Sequence, residues 1–192
     1  MKHHRHYMIF KPFGMLSQMH SRDPKEKNKR FLGELFRFPN EVMPVGRLDE
    51  KSEGLLLLTT DGKLSDRVNR SGIEKQYLVQ VDGTIDNRAI ERLEHGVEIG
   101  ISGTRYQTLP CQAKILDEVP ELPPADKKLR IDRHRPSSWL SLTIREGKYR
   151  QVRKMTAAVG FPTLRLIRVR IGSIDLSGLQ PGDVKELKSL DF

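Results

Sequence analysis

Four consecutive leucines, Leu55–Leu58, stand between Ser52-Glu53-Gly54 and Thr59-Thr60-Asp61-Gly62. A run this apolar has no side to turn to water, so it forms a strand covered on both faces, with Asp61-Gly62 as its closing turn. Just ahead of it lies Gly46-Arg47-Leu48-Asp49. That order places one carboxylate beside one guanidinium at the edge of a buried core. A fixed, ion-paired aspartate at such an edge suits attack on a carbon centre. For an isolated match, a surface turn with a salt bridge is the plain alternative.

Charge narrows the partner. The chain of 192 residues carries a net charge of +9, and seven of those nine charges fall between Arg145 and Arg170. The basic residues there are Arg145, Lys148, Arg150, Arg153, Lys154, Arg165, Arg168 and Arg170, opposed only by Glu146. Such concentration marks a polyanion site. A solvated basic face has the same composition, but here the cations interleave with core-forming residues. With 36% hydrophobic and 31% charged residues, the chain suits one sizeable soluble domain or two small lobes sharing a core. No stretch is apolar enough to span a bilayer, and the N-terminus lacks the apolar core of a signal peptide. One cysteine, Cys111, forms neither an internal disulfide nor a metal cluster, so a cytoplasmic setting is expected.

Alternation and breakers outline the rest. Tyr7–Phe10 reads as a first strand ended by Pro12 and Gly14, and Ser21–Arg30 as a mobile loop. Phe31, Leu32, Leu35 and Phe36 follow helical spacing up to Pro39. Leu64 and Val68 suggest a short helix. Tyr77, Val79 and Val81 mark a strand closed by Asp82-Gly83. Asp86 then caps a helix with Ile90 and Leu93 facing inward and Gly96 at its end. Short strands broken by glycines occupy Val97–Val119, and an exposed basic loop runs over residues 120–136. Leu140, Leu142 and Ile144 alternate along a further strand turned by Glu146-Gly147. Val152, Met155 and Val159 mark a helix ended by Gly160 and Pro162. In a further strand Ile167, Val169 and Ile171 face inward, which predicts that Arg168 and Arg170 are presented on the other face. The pattern is α+β with a bent, mixed or mainly antiparallel sheet flanked by helices.

Five blocks now stand in order: Lys11-Pro12-Phe13-Gly14; Gly46 to Asp49 with Ser52 to Gly62; Lys75-Gln76-Tyr77; Glu146 to Met155; and Gly160 to Leu166. Together they resemble the Rsu-type ribosomal pseudouridine synthases, through nearly the whole chain. The lead-in Pro136-Ser137-Ser138-Trp139-Leu140 resembles a large-subunit branch of that family. Many relatives carry an S4-type RNA-binding domain before the first block. Only a few residues stand there in this chain, so a single catalytic domain over 1–192, two lobes on one sheet with a basic active-site cleft, is expected to find RNA unaided.

The resemblance implies that Asp49 is the catalytic carboxylate, Arg153 its ion-pair partner and Tyr77 the ring against the target uracil. A target base must leave its helix to react, and an aromatic face receives it. A core tyrosine is the other reading of Tyr77. Arg47, Arg150, Lys154, Arg168, Arg170 and, more weakly, Lys11 are RNA-binding candidates, since such cations match phosphate oxygens. Leu166 lines the uracil pocket or is a plain core leucine. His3, His4 and His6 have loose terminal spacing and suit a tail better than a metal site. Rearranging uridine needs no redox change, so neither cofactor nor metal is expected. The implied activity is isomerisation of a specific uridine in ribosomal RNA, most readily the large-subunit RNA, by a cytoplasmic monomer without membrane contact. Two rivals are a non-catalytic ribosomal-RNA-binding assembly factor on the same basic face, and a glycosidase releasing uracil.

Overall fold

The computed structural model describes residues 4–176 and 178–192, so His3 lies outside the described residues. The chain forms two compact units, Met1–Ile73 with Arg168–Phe192, and Glu74–Ile167.

The first unit starts with β1 (His6–Lys11), β2 (Met15–Leu16), β3 (Arg30–Phe31), β4 (Met43–Val45) and β5 (Glu53–Thr59), followed by helix α1 (Gly62–Arg70). All seven residues of β5 are buried, as the leucine run demands. β1 pairs antiparallel with β5, setting Met8 opposite Leu57 and Ile9 opposite Leu56. β4 pairs antiparallel with the C-terminal half of β5. Leu55 and Leu57 pack with Met8, Val45, Ile171, Leu190 and the α1 residues Leu64 and Val68. Alternation sends Leu56 and Leu58, both fully buried, to the opposite face.

Two local expectations need correction here. Asp61-Gly62 is not a closing turn: the Asp61 carboxylate accepts from the Lys63 and Leu64 amides at 3.0 and 3.1 Å and starts α1. The helix expected at Phe31–Phe36 is one 3₁₀ turn, Leu32–Glu34. The amides of Leu32 and Gly33 donate to the carbonyls of Gln18 and Met19, so the segment is tied to a neighbouring chain stretch. A Cβ on Gly33 would lie 2.6 Å from the Met19 oxygen, so that approach depends on glycine. The Ser21–Arg30 stretch likewise contains a 3₁₀ turn, Pro24–Glu26, capped by Asp23.

The second unit holds β6 (Lys75–Asp82), α2 (Asn87–His95), β7 (Glu98–Ile101), β8 (Thr104–Gln107), β9 (Gln112–Leu116), β10 (Ser137–Ile144) and α3 (Gln151–Ala158). β10 lies antiparallel between β6 and β9. Asp86 caps α2 through the Ala89 amide at 2.8 Å, as its position in the sequence predicts. β7 and β8 form a hairpin across Ser102-Gly103, both at positive φ (48° and 82°), the geometry of a tight primed turn. Residues 120–136 contain no helix or strand. The loop is nonetheless tethered where Arg165 donates to the Pro123 carbonyl at 3.0 Å.

β11 (Thr163–Ile171) begins in the second unit and ends in the first, where β12 (Ile174–Asp175) and β13 (Val184–Leu187) follow. β13 pairs antiparallel with β1. Strands and helices are interspersed and these pairings are antiparallel, apart from the short parallel β2–β3 pair. The class is α+β.

Candidate active site

In the first unit the Gly46–Glu50 segment is a loop, not a strand, so strand alternation does not sort Arg47 and Asp49. The sorting has another cause. Leu48 is buried at 7% exposure, while Arg47 is exposed and Asp49 half-buried. An apolar anchor at the loop centre holds its charged neighbours outward.

The backbone on both sides of Asp49 is fixed by residues of the 11–17 segment. The Ser17 hydroxyl accepts from the Leu48 amide at 2.9 Å and donates to the Leu48 carbonyl at 2.7 Å. The Glu50 carbonyl accepts from the Gly14 amide at 2.8 Å. The Asp49 carbonyl accepts from the Ser52 amide at 3.0 Å, closing a turn. Lys11 is wholly buried, which overturns its assignment as a phosphate contact. Its ammonium donates to the carbonyls of Met15, Pro12 and Glu50 at 2.6, 3.0 and 3.4 Å. Burial pushes its pKa down to about 7, against the raising pull of Glu53, Asp49 and Glu50. Glu53 is itself buried, at 3% exposure.

Arg168 also departs from its expected place as a phosphate contact. It is 3% exposed, and its Nε donates to the Leu55 carbonyl at 2.8 Å. Its guanidinium is therefore enclosed beside β5 rather than presented from a polar strand face. Arg170 is half-buried, stands across from Asp175 and donates to the Gly172 carbonyl at 2.6 Å.

In the second unit Tyr77 lies on β6 opposite Leu142 of β10, at 7% exposure. Leu166 on β11 is buried at 5%. Arg153 sits on α3 and reaches the Thr163 carbonyl at 3.4 Å, while Lys154 donates to the Gly100 carbonyl at 2.7 Å. Arg150 precedes α3 in the left-handed region (φ 52°), where non-glycine residues are uncommon.

Glu146 organises the turn carrying these cations, a role its isolation among positive charges did not reveal. It accepts from the Tyr106 hydroxyl at 2.5 Å, the Leu109 amide at 2.9 Å and Gln151 Nε2 at 2.6 Å. The hydrogen bond to Glu146 raises the Tyr106 pKa. Gln151, buried at the start of α3, also accepts from the Lys148 amide at 2.9 Å. The only trace of this in the sequence is an acid and an amide five residues apart at a strand-to-helix turn. Ser17 left no trace.

His6 Nδ1 lies 2.9 Å from Thr59 Oγ1 and His4 Nδ1 3.4 Å from Thr60 Oγ1, so both histidines bind the end of β5. Among the described residues no group of three or more His, Cys, Asp or Glu side chains is placed to hold a metal ion, and no helix is long and apolar enough to cross a membrane. Burial raises the Cys111 thiol pKa to about 11, and the thiol donates to the Leu93 carbonyl.

Comparison with known proteins agrees with these motifs. Residues 5–158 match the family described as RNA pseudouridylate synthase. A protein named "Ribosomal large subunit pseudouridine synthase E" from Xanthomonas axonopodis pv. citri is 45% identical over 176 residues, covering 91% of this chain and 89% of its own. A protein of the same name from Vibrio parahaemolyticus is 39% identical over 187 residues, covering 96% and 74%. A solved structure titled "Crystal structure of pseudouridylate synthase" superposes with a TM-score of 0.78 at 26% identity, covering 97% of this chain and 71% of its own. Motif order, fold and family match agree: the chain belongs to the RNA pseudouridylate synthase family.

Proposed function

We propose that this protein converts a specific uridine of large-subunit ribosomal RNA to pseudouridine, with Asp49 as the nucleophile. The observation that carries the assignment of Asp49 is its loop. The backbone is pinned at Leu48 by Ser17 and at Glu50 by Gly14 and Lys11, leaving a half-buried carboxylate between two fixed points. Preorganisation of this kind holds a reacting group in its productive geometry without reordering during the reaction.

The reaction breaks the N1–C1′ glycosidic bond and joins C1′ to C5 of the same uracil; C5 gives up its hydrogen and N1 gains one. Nothing is oxidised or reduced, so no cofactor enters the balance. The Asp49 carboxylate adds to the substrate and is expelled again, as carboxylates do in covalent glycosyl transfer. Tyr77 offers its ring to the extruded uracil, and Arg153 favours the ionised carboxylate. Leu166 adds an apolar wall. Arg47, Arg150, Lys154 and Arg170 meet phosphates. The names of the relatives support the large-subunit RNA as the substrate, and the protein acts as a cytoplasmic monomer.

Tritium release from ribosomal RNA labelled at uracil C5 tests the proposal, because C5 loses hydrogen only on becoming the glycosidic carbon. Wild type is expected to release tritium without free uracil. Asp49→Ala is expected to lose more than about a thousandfold in rate while still binding RNA. Equal release by the variant removes Asp49 from the mechanism. No release by wild type, on naked RNA and subunits alike, returns the protein to a binding role; free uracil would indicate a glycosidase.

A further inference from the structure

Tyr149 is the most solvent-exposed aromatic side chain among the described residues, at 69%. It stands in the most basic part of the chain, between Lys148 and Arg150. The Lys154 ammonium lies 5.0 Å from its ring centroid, and that of Lys148 lies 4.9 Å from the neighbouring Tyr106 ring. The turn beneath it is held by Glu146 and by the Lys148 amide on Gln151. A large ring left in water on a fixed backbone, with cations around it, adds nothing to the core. It has the parts of a single-stranded nucleic acid platform, namely a π face for a base and positive charge for the adjoining phosphates.

From this juxtaposition we propose that Tyr149 is a stacking platform for an unpaired nucleobase of the substrate RNA other than the target uridine, with Lys148 and Lys154 taking its flanking phosphates. The inference rests on the RNA-modifying reading above. It assigns to that reading a substrate class, RNA with an unpaired base in addition to the modified uridine, rather than a continuous duplex. Since every base has a π face, the contact selects single-strandedness and not sequence.

Fluorescence anisotropy with a labelled single-stranded oligoribonucleotide and tritium release from large-subunit RNA test this on the full chain. Tyr149→Ala is expected to weaken oligonucleotide binding about tenfold or more. It should raise KM for RNA with kcat little changed and leave the melting temperature unaltered. Tyr149→Phe and Tyr149→Trp are expected to bind as wild type does, because each keeps a π face. The dependence of affinity on salt should keep its slope in Tyr149→Ala, since no phosphate ion pair is removed. Unchanged affinity in Tyr149→Ala overturns the proposal. So does a loss in Tyr149→Phe equal to that in the alanine variant, which would locate the effect in the hydroxyl. A wild type that releases tritium while Tyr149→Ala binds and reacts normally defeats the platform alone. A wild type without tritium release defeats the synthase reading instead.

Discussion

Lys11 shows how far a residue's job can depart from its charge. An exposed lysine beside RNA would be a phosphate contact. Here its chain lies inside the first unit, and its ammonium gathers three backbone carbonyls, one of them next to Asp49. The folded protein holds the Lys11 proton with a pKa near 7, whereas the ordinary lysine value is 10.5. The unfolded chain therefore binds more protons between these values, and this group makes stability rise with pH from about 7 to about 10.5. Below that window the full cost of burying the charge is present. Urea unfolding of wild type and Lys11→Met across the window should show this rise in wild type and a flatter profile in the variant. The variant should also be less stable by about 1–3 kcal/mol near pH 9, where lost hydrogen bonds dominate. Parallel profiles would place the titration elsewhere.

At the scale of elements, β5 explains why the motif ahead of the leucines contains glycine. Gly54 has φ +103°, and a Cβ there would lie 2.3 Å from the Arg168 carbonyl oxygen and 2.8 Å from its amide nitrogen. The two backbones meet without a side chain between them, and Arg168 closes the contact through its bond to the Leu55 carbonyl. Gly54→Ala meets both an unfavourable φ and backbone atoms that cannot move aside. It is expected to cost more than about 3 kcal/mol in chemical denaturation, or to leave no folded protein. Gly100→Ala on β7 is the matched control, because nothing lies within 4 Å of its added carbon. A Gly54→Ala protein as stable as the control would mean that β5 and β11 do not meet this closely.

For the whole molecule, the concentration of positive charge between Arg145 and Arg170 overstates the surface offered to RNA. Arg165 and Arg168 are 4% and 3% exposed, and the exposed Arg145 is ion-paired to Glu74 at 2.9 Å. Lys148 and Lys154 keep their cations near the surface of the Glu146 turn. RNA affinity is expected to fall steeply with salt. Lys148→Ala should lower the slope of log affinity against log salt by about 0.7–0.9, the share of one phosphate contact. Arg168→Met should leave that slope alone and lower the melting temperature. A reduced slope in Arg168→Met would show that its guanidinium reaches RNA after all.

Much of this was legible in the chain, because the signals are local. Four leucines in a row dictate a strand covered on both faces, and Asp86 and Gly96 bracket a helix through backbone rules that operate within a few residues. The ordered motifs identify the family, since they are a property of the sequence itself. What was not legible depends on partners far along the chain. Period-two alternation cannot tell whether the polar face of β11 meets water or protein, so Arg168 reads as presented until β5 is found beside it. Lys11 and Ser17 acquire their roles only when residues 48–50 fold back onto them, and Glu146 only when Tyr106 and Leu109 arrive. Residue type and spacing determine which groups are available and which segments are buried. Only the tertiary structure, by desolvating some charges and leaving others in water, decides which of them bind backbone and which remain for a ligand.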